Sequence, residues 1–409
     1  MSAAAPRRES PSRPAGPFWP DRRQLSCFVA AWAGWVLDAF DFSVYLLVLP
    51  DIALHFRASL TAVSTVVTAT LVFRVLGGLV AGTAADRWGR RSVLLVSILA
   101  MALCDGAIAF APSLFWVFAL RVLFGFAMGA EWTAGATLAM ENWPERSRGL
   151  ASGLLQGSWA IGYLLAALVS RWALPAFGWR SLFLLAAAPA VLVVPLRFIV
   201  REDARRPPAA PWHALAQPVL LGRVAWSAGV LVLGFAAYYA LVVSYPAHLR
   251  GALVLDAPAV GTVVACFNLG MLLGAPLNGL LFARYGPRAA LGLPALLTPL
   301  LLPLYLGRAP LLLPLGAFLV GAVAAGTSGA TPLLLARLFP APVRARASGL
   351  VYHLGALLAA PVPALVAALV ERRAVATLAG AMAAVTVAAE LGLAALLFLA
   401  PVPAAAREP

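Results

Sequence analysis

Five charged residues, Asp38, Asp41, Arg74, Arg121 and Glu131, stand inside stretches that are otherwise apolar. A charge placed in the hydrocarbon of a bilayer costs about 2.5–3.5 kcal/mol on insertion scales, so each marks a functional position by default. Asp38 and Asp41 are three residues apart, which sets both on one face of a helix. Counting helical rise from the inner ends of their stretches, Asp38 lies about 18 Å deep and Arg74 about 15 Å deep. Asp41 and Arg121 lie at roughly 22 and 25 Å. These depths permit Asp38–Arg74 and Asp41–Arg121 pairs. Such pairs either satisfy one another and fix helix register, or bind a substrate carboxylate and carry a proton. Glu131, ten residues beyond Arg121, falls in the inner third of its stretch and on a different face.

The whole chain explains why those charges are exceptional. Its 409 residues are 62% apolar and 11% charged, against about 25% charged in a soluble domain. That excludes a soluble enzyme, a disordered chain and a secreted disulfide scaffold. The formal charge is +14, and every one of the 30 basic residues is Arg. On a soluble chain this balance would suggest nucleic acid, but here the arginines sit in short clusters between long apolar runs, as in a membrane protein. Cys27, Cys104 and Cys266 lie in apolar runs with spacings suited to neither metal nor disulfides. The first 25 residues, rich in Pro and Arg, lack a cleavable signal peptide pattern. Without lysine there is no phosphate-binding loop of the ATPase kind, so no cofactor is expected and the chain is not expected to be an enzyme.

Apolar runs long enough to cross a bilayer fall near 26–50, 60–84, 92–111, 114–138, 149–170 and 180–200. A second set falls near 222–246, 257–282, 289–306, 309–335, 348–370 and 374–400, with the ninth and tenth expected to be broken by Pro299, Pro303 and Pro310. With the N-terminus in the cytoplasm, 21 arginines fall in cytoplasmic tails and loops, seven in outer loops, and Arg74 and Arg121 within spans. This asymmetry places both termini inside. The expected divisions are a tail over 1–25, a six-helix bundle over 26–200, a linker over 201–221, a second bundle over 222–400 and a tail over 401–409. The halves repeat. Gly82-Thr-Ala-Ala-Asp86-Arg87-Trp-Gly89-Arg90-Arg91 recurs as Gly279-Leu-Leu-Phe-Ala283-Arg284-Tyr-Gly286-Pro-Arg288, 197 positions on. Pro144-Glu-Arg-Ser-Arg148-Gly-Leu-Ala-Ser152-Gly153 recurs as Pro340-Ala-Pro-Val-Arg344-Ala-Arg-Ala-Ser348-Gly349, 196 positions on.

The first of these loops resembles the signature loop of the major facilitator superfamily. More narrowly, Trp35-Val-Leu-Asp38-Ala-Phe-Asp41, Gly129-Ala-Glu131-Trp132 and the stretch from Glu141 through Gln156 to Tyr163 resemble the sialate:proton symporter family, which includes lactate/pyruvate permeases. The resemblance implies an all-α membrane protein of twelve helices in two pseudo-symmetric six-helix bundles. It implies proton-coupled symport of a small organic anion, such as lactate or sialate, by alternating access in the inner membrane. The gating loop would be Gly82, Asp86, Arg87, Gly89, Arg90 and Arg91, its second copy weakened by Ala283. Asp38, Asp41 and Glu131 are the proton-coupling candidates. Arg121, Arg74, Gln156, Tyr238, Tyr239 and Asn268 are the substrate-binding candidates, the second half offering no midplane cation and one acid, Glu390. His353 is read as an interfacial group. The expected partners are an organic anion, protons and lipid, with no nucleic acid, and the chain is expected to be a monomer. Aromatic-acid:proton symport or proton-coupled drug export is the alternative, and a non-transporting sensor or scaffold a second.

If Asp86 locks the cytoplasmic side, Asp86→Ala shifts the population toward inward-open. Cysteine labelling near Gly153 from that side then increases; unchanged labelling means that the loop sets orientation alone.

Overall fold

The computed structural model of the protein describes residues 17–58, 60–188 and 212–405. Residues 1–16 of the expected N-terminal tail, 189–200 of the first bundle, 201–211 of the linker and 406–409 of the C-terminal tail lie outside the described residues. The first half holds α1 (Arg22–Leu47), α2 (Leu49–His55), α3 (Leu60–Trp88), α4 (Arg90–Ile108), α5 (Leu114–Asn142), α6 (Arg148–Phe177) and α7 (Trp179–Ala187). The second half holds α8 (Pro218–Val242), α9 (Tyr245–Gly251), α10 (Ala257–Pro287), α11 (Leu293–Leu306), α12 (Leu313–Val323), α13 (Thr331–Leu338), α14 (Arg344–Ala359), α15 (Val362–Glu371) and α16 (Leu378–Leu399). Among the described residues there is no strand.

Local chemistry starts these helices where the sequence places polar caps. Asp21 accepts from Gln24 N at 2.7 Å while Gln24 Oε1 accepts from Asp21 N at 2.9 Å, a reciprocal cap that opens α1. Asp256 and Thr377 cap α10 and α16 by the same kind of bond, at 2.9 and 3.0 Å. Ten segments are long and apolar enough to cross a bilayer. One of them, Pro258–Leu306, contains two passes joined at Gly286, and α7 is the described start of a further one. The twelve-helix, two-bundle architecture accounts for all of them.

The repeat read from the sequence has a backbone counterpart. Gly89 and Gly286 both take left-handed φ, 84° and 79°, at equivalent places in the two copies of the loop. Only glycine enters that region without steric cost, which is why the residue recurs. Arg57 and Val254, also 197 positions apart, both have positive φ, 50° and 53°, in the loops at the opposite end.

The expected breaks in the ninth and tenth spans are relocated. α11 runs through Pro299 and Pro303 as helix, since neighbouring helices can re-satisfy backbone groups freed by proline. The tenth span is interrupted instead by a 3₁₀ turn over Ala325–Ala330, in a Gly-Thr-Ser-Gly stretch between α12 and α13.

Side-chain polarity runs opposite to that of a soluble protein. Leu103 and Leu300 are 73% and 72% exposed on the outside, while Asp105 and Arg121 are 0% and 1% exposed within. The hydrocarbon-facing surface is apolar, and the polar groups are enclosed where other helices can pair them.

The halves meet chiefly along α6 and α10. A Cβ on Gly153 would collide with the Ala275 carbonyl, and one on Gly279 with the Gly149 carbonyl, so glycine sets the approach of the two backbones. At the end carrying the arginine-rich loops, Ser152 Oγ donates to Gly329 O at 2.6 Å and accepts from Leu333 N at 3.1 Å. Arg344 and Glu141 add an ion pair at 3.8 Å. The repeated Ser-Gly and Arg positions therefore close that end.

Gly153→Ala forces α6 and α10 apart there. Labelling of a cysteine at Ser348 from the arginine-loop side is expected to rise, and melting temperature to fall in step with the ~1–3 kcal/mol typical of overpacking. A variant with wild-type labelling would show that the contact is not part of the closure.

Candidate functional site

Two charge clusters lie along α1, one helical turn apart. In the first, Asp38 of α1 is fully buried and its Oδ2 lies 3.9 Å from Arg74 Nη2 of α3. This is the pair that equal depth permitted. Neither Asp38 oxygen has a hydrogen-bond partner, nor do Arg74 Nε and Nη2. The guanidinium is walled by rings, at 5.5 Å from Trp35, 5.8 Å from Tyr352 and 5.9 Å from Trp159. It thus combines a held positive charge with unfilled donors and flat apolar walls.

The rings come from both halves. Trp132 of α5 stacks on Tyr352 of α14 with centroids 3.6 Å apart and planes inclined by 14°. Trp35 packs on Trp159 at 5.2 Å. Gln156 accepts from Trp132 Nε1 at 3.4 Å and its side chain also reaches the Tyr352 hydroxyl, so it positions the stack. Tyr238 reaches Trp159, and Tyr239 faces the Arg74 charge and stacks on Phe235 at 5.8 Å. Four of the substrate candidates, Arg74, Gln156, Tyr238 and Tyr239, therefore converge on one place. Asn268 donates its Nδ2 to Val264 O at 2.9 Å, on its own helix, so that amide hydrogen is spent locally. Tyr352, Trp132 and Trp159 complete the box. Their aromatic character is visible in the sequence, but the helix faces that bring them together are not.

The second cluster changes the expected pairing. Arg121 Nη1 lies 3.7 Å from Asp105 Oδ1, and Nη2 donates to the backbone oxygen of Asp41 at 3.2 Å. The carboxylate partner of Arg121 is therefore Asp105, in the third span, and Asp41 contributes its carbonyl. Asp105 is a further intramembrane charge, lying within the run 92–111. The guanidinium is packed against Tyr45 at 4.4 Å, Phe124 at 4.6 Å and Phe183 at 5.5 Å. This enclosure separates it from the aromatic box.

Glu131 stands apart, 1% exposed, accepting from Ser97 Oγ at 3.1 Å beside a cavity of about 10 Å³ bordered by Trp35 and Trp132. That is room for roughly one water. His353 is not interfacial: it is 1% exposed, and its Nε2 lies 3.2 Å from Gly129 O and 3.3 Å from Thr133 Oγ1, across the inter-half boundary. A Cβ on Gly78 would collide with its ring, so a glycine notch in α3 receives it. In the last turn of α3, Arg87 lies over Trp88 at 5.8 Å. Arg91 begins the first turn of α4. Gly82 lies within α3, and the side chains of Asp86 and Arg90 lie outside the described residues. Among the described residues no group of His, Cys, Asp and Glu is arranged to hold a metal.

The family model described as Major Facilitator Superfamily matches residues 31–248 and again 228–409. A probable 4-methylmuconolactone transporter of Cupriavidus pinatubonensis is 31% identical over 350 residues, covering 81% of each chain. The 4-hydroxybenzoate transporter PcaK of Pseudomonas aeruginosa is 29% identical over 388 residues, covering 84% of each. The sialic acid transporter NanX of Escherichia coli is 25% identical over 351 residues, covering 83% of this chain and 86% of its own. The solved structure of the proton:xylose symporter XylE superimposes with a TM-score of 0.73 at 17% identity, covering 90% of this chain and 94% of that one, which shows the shared fold.

Arg121→Gln leaves Asp105 buried without its cation, a change that costs about 3–5 kcal/mol when a buried pair is broken. Asp105→Asn in the same chain is expected to recover part of that loss. Thermal unfolding of the two single variants and the double variant measures it; strictly additive losses would show that the two groups do not interact.

Proposed function

The chain belongs to the major facilitator superfamily, and we propose that this transporter moves an aromatic or comparably flat cyclic carboxylate together with protons by alternating access. The observation that carries the reading is the Arg74 guanidinium, with two nitrogens lacking hydrogen-bond partners and three rings around it. A carboxylate inside the membrane must be paired, because leaving an ion unpaired there costs several kcal/mol. Arg74 supplies a planar donor fork suited to bidentate binding. The rings then contribute only if the substrate has a face to stack, at about 0.5–1.5 kcal/mol per pair beyond area.

Lactate has no such face. Sialate would need many hydrogen-bonding partners for its hydroxyls, and the box offers chiefly indoles and phenols. The names of the relatives that transport 4-hydroxybenzoate and 4-methylmuconolactone support the aromatic reading over the monocarboxylate one. NanX keeps the sugar-acid reading within the family, so the general class is a small organic acid. In the cycle, the anion competes with Asp38 for Arg74. The freed Asp38 carboxylate leaves a negative charge beside the substrate, which a proton taken up within the first half offsets. Separation of α14 from α5 opens the box to that side. The arginine distribution supports a cytoplasmic-membrane location with both termini inside, and each chain holds a complete site, consistent with a monomer.

Purified protein titrated with benzoate, 4-hydroxybenzoate, nicotinate, sialate and lactate is expected to show thermal stabilisation by the ring acids and none by lactate. Arg74→Gln abolishes the effect, and Trp159→Ala weakens 4-hydroxybenzoate about tenfold, one stacked ring's worth. Stabilisation by lactate with none by any ring acid would overturn the substrate class. In liposomes, an imposed pH gradient drives 4-hydroxybenzoate inward, and absence of any proton flux would remove the coupling.

A further inference from the structure

We infer that Asp105 carries the coupled proton: with Asp41 it forms a carboxyl pair that holds one exchangeable proton against the Arg121 guanidinium. This rests on the proton-coupled reading above but concerns a separate cluster from the substrate box.

The geometry is that of a site short of one positive charge. Asp105 and Asp41 are 0% and 3% exposed, and their carboxyls lie side by side. Both Asp105 oxygens and Asp41 Oδ1 have no hydrogen-bond partner. Arg121 Nη1 and Nε, equally enclosed, also have none, and Nη1 is directed at Asp105 from 3.7 Å. The other titratable and charged groups around the cluster are Tyr45 and Asp38 on α1 and Cys104 on α4. α5 adds the ring of Phe124 and α7 that of Phe183, both apolar. Among the described residues the site therefore has two carboxyls, one guanidinium and no second cation within reach. With both acids ionised it carries one uncompensated negative charge in a low-dielectric interior; with one proton it is neutral. Two adjacent carboxyls cannot both ionise cheaply, and the proton serves either of them.

The balance is simple. A proton from water on the proton-rich side forms an O–H bond to one carboxyl and takes the cluster from −1 to 0. On the opposite side that bond breaks, the proton returns to water and the charge is restored. Coupling to substrate needs no contact between the sites. Asp38 lies one turn along α1 from Asp41 and acts on it electrostatically. An anion arriving at Arg74 removes the cation that offsets Asp38, which makes the potential at Asp41 more negative and the proton more tightly held. By linkage the proton favours the anion equally, and the two cross as a neutral load. Arg121 holds the pair, and its aromatic enclosure keeps the proton from leaking through the first half.

Infrared difference spectroscopy of the purified full-length chain tests the pair without any substrate. Wild type is expected to show a protonated-carboxyl band that titrates with pH. Asp105→Asn and Asp41→Asn should each abolish it, because the remaining acid then forms a simple ion pair with Arg121. Asp38→Asn should retain it. A band that survives Asp105→Asn overturns the proposal, as does one lost only in Asp38→Asn. In liposomes with 4-hydroxybenzoate as probe, one coupled proton supports at most about tenfold accumulation per unit of imposed pH difference. Asp105→Asn is expected to equilibrate the probe to a ratio of about one, and Asp105→Glu to recover accumulation. Wild-type accumulation in Asp105→Asn, or loss of all probe movement in both variants, overturns the assignment. Absence of proton flux in wild type, with the titrating band intact, would instead refute the coupling reading.

Discussion

Charge neutrality inside an apolar bundle is the constraint on which this structure turns. Among the described residues, the interior of the first half holds four carboxyls, Asp38, Asp41, Asp105 and Glu131, and two guanidiniums, Arg74 and Arg121. Water cannot solvate them, so each arrangement of helices must supply partners or protons. Every other feature of the core serves this requirement. Small residues let α3 and α5 approach closely enough for Arg74 and Arg121 to reach α1 and α4, and aromatic faces fill the space around the cations. The hydrocarbon-facing surface carries none of this burden and is correspondingly plain.

The aromatic box depends on the two halves being in register. The Trp132–Tyr352 stack spans the boundary, and Gln156 ties its edge. His353 adds a second tie by inserting beside Gly78 and meeting Gly129 and Thr133. On the proposed reading, binding and conformational change are physically the same event at this boundary, because parting of α14 from α5 unstacks the wall against which a ring would lie.

Much of this was legible in the residues themselves. Hydropathy and arginine placement define the spans, and the repeated loops predict two copies of one half, which Gly89 and Gly286 display in their shared backbone conformation. The Asp38–Arg74 pair follows from equal depth along the first two spans. Depth along a helix is blind to azimuth, however, and there the reading fails. Asp41 and Arg121 share a level, yet the Arg121 side chain turns to Asp105. Asp105 lies near the end of its run, where an acid is easily taken for an interfacial group. His353 looked interfacial for the same reason, and only the Gly78 notch shows why a buried imidazole belongs there. Pro299 and Pro303 proved weaker helix breakers than the Gly-Thr-Ser-Gly stretch, because packing against neighbouring helices can compensate a missing backbone donor.

The two halves share an ancestry in their loops but not in their chemistry. The Asp38–Arg74 and Asp105–Arg121 pairs both sit on one side of the boundary, while the other side presents phenols, an imidazole and apolar bulk to the aromatic box. On the proposed reading, an energy-converting module is bolted to an interchangeable wall. Substitutions along α8 and α14 can reshape what is accepted without touching the groups that balance charge. A chimaera joining this first half to the second half of another organic-acid carrier would then inherit its drive from one parent and its appetite from the other.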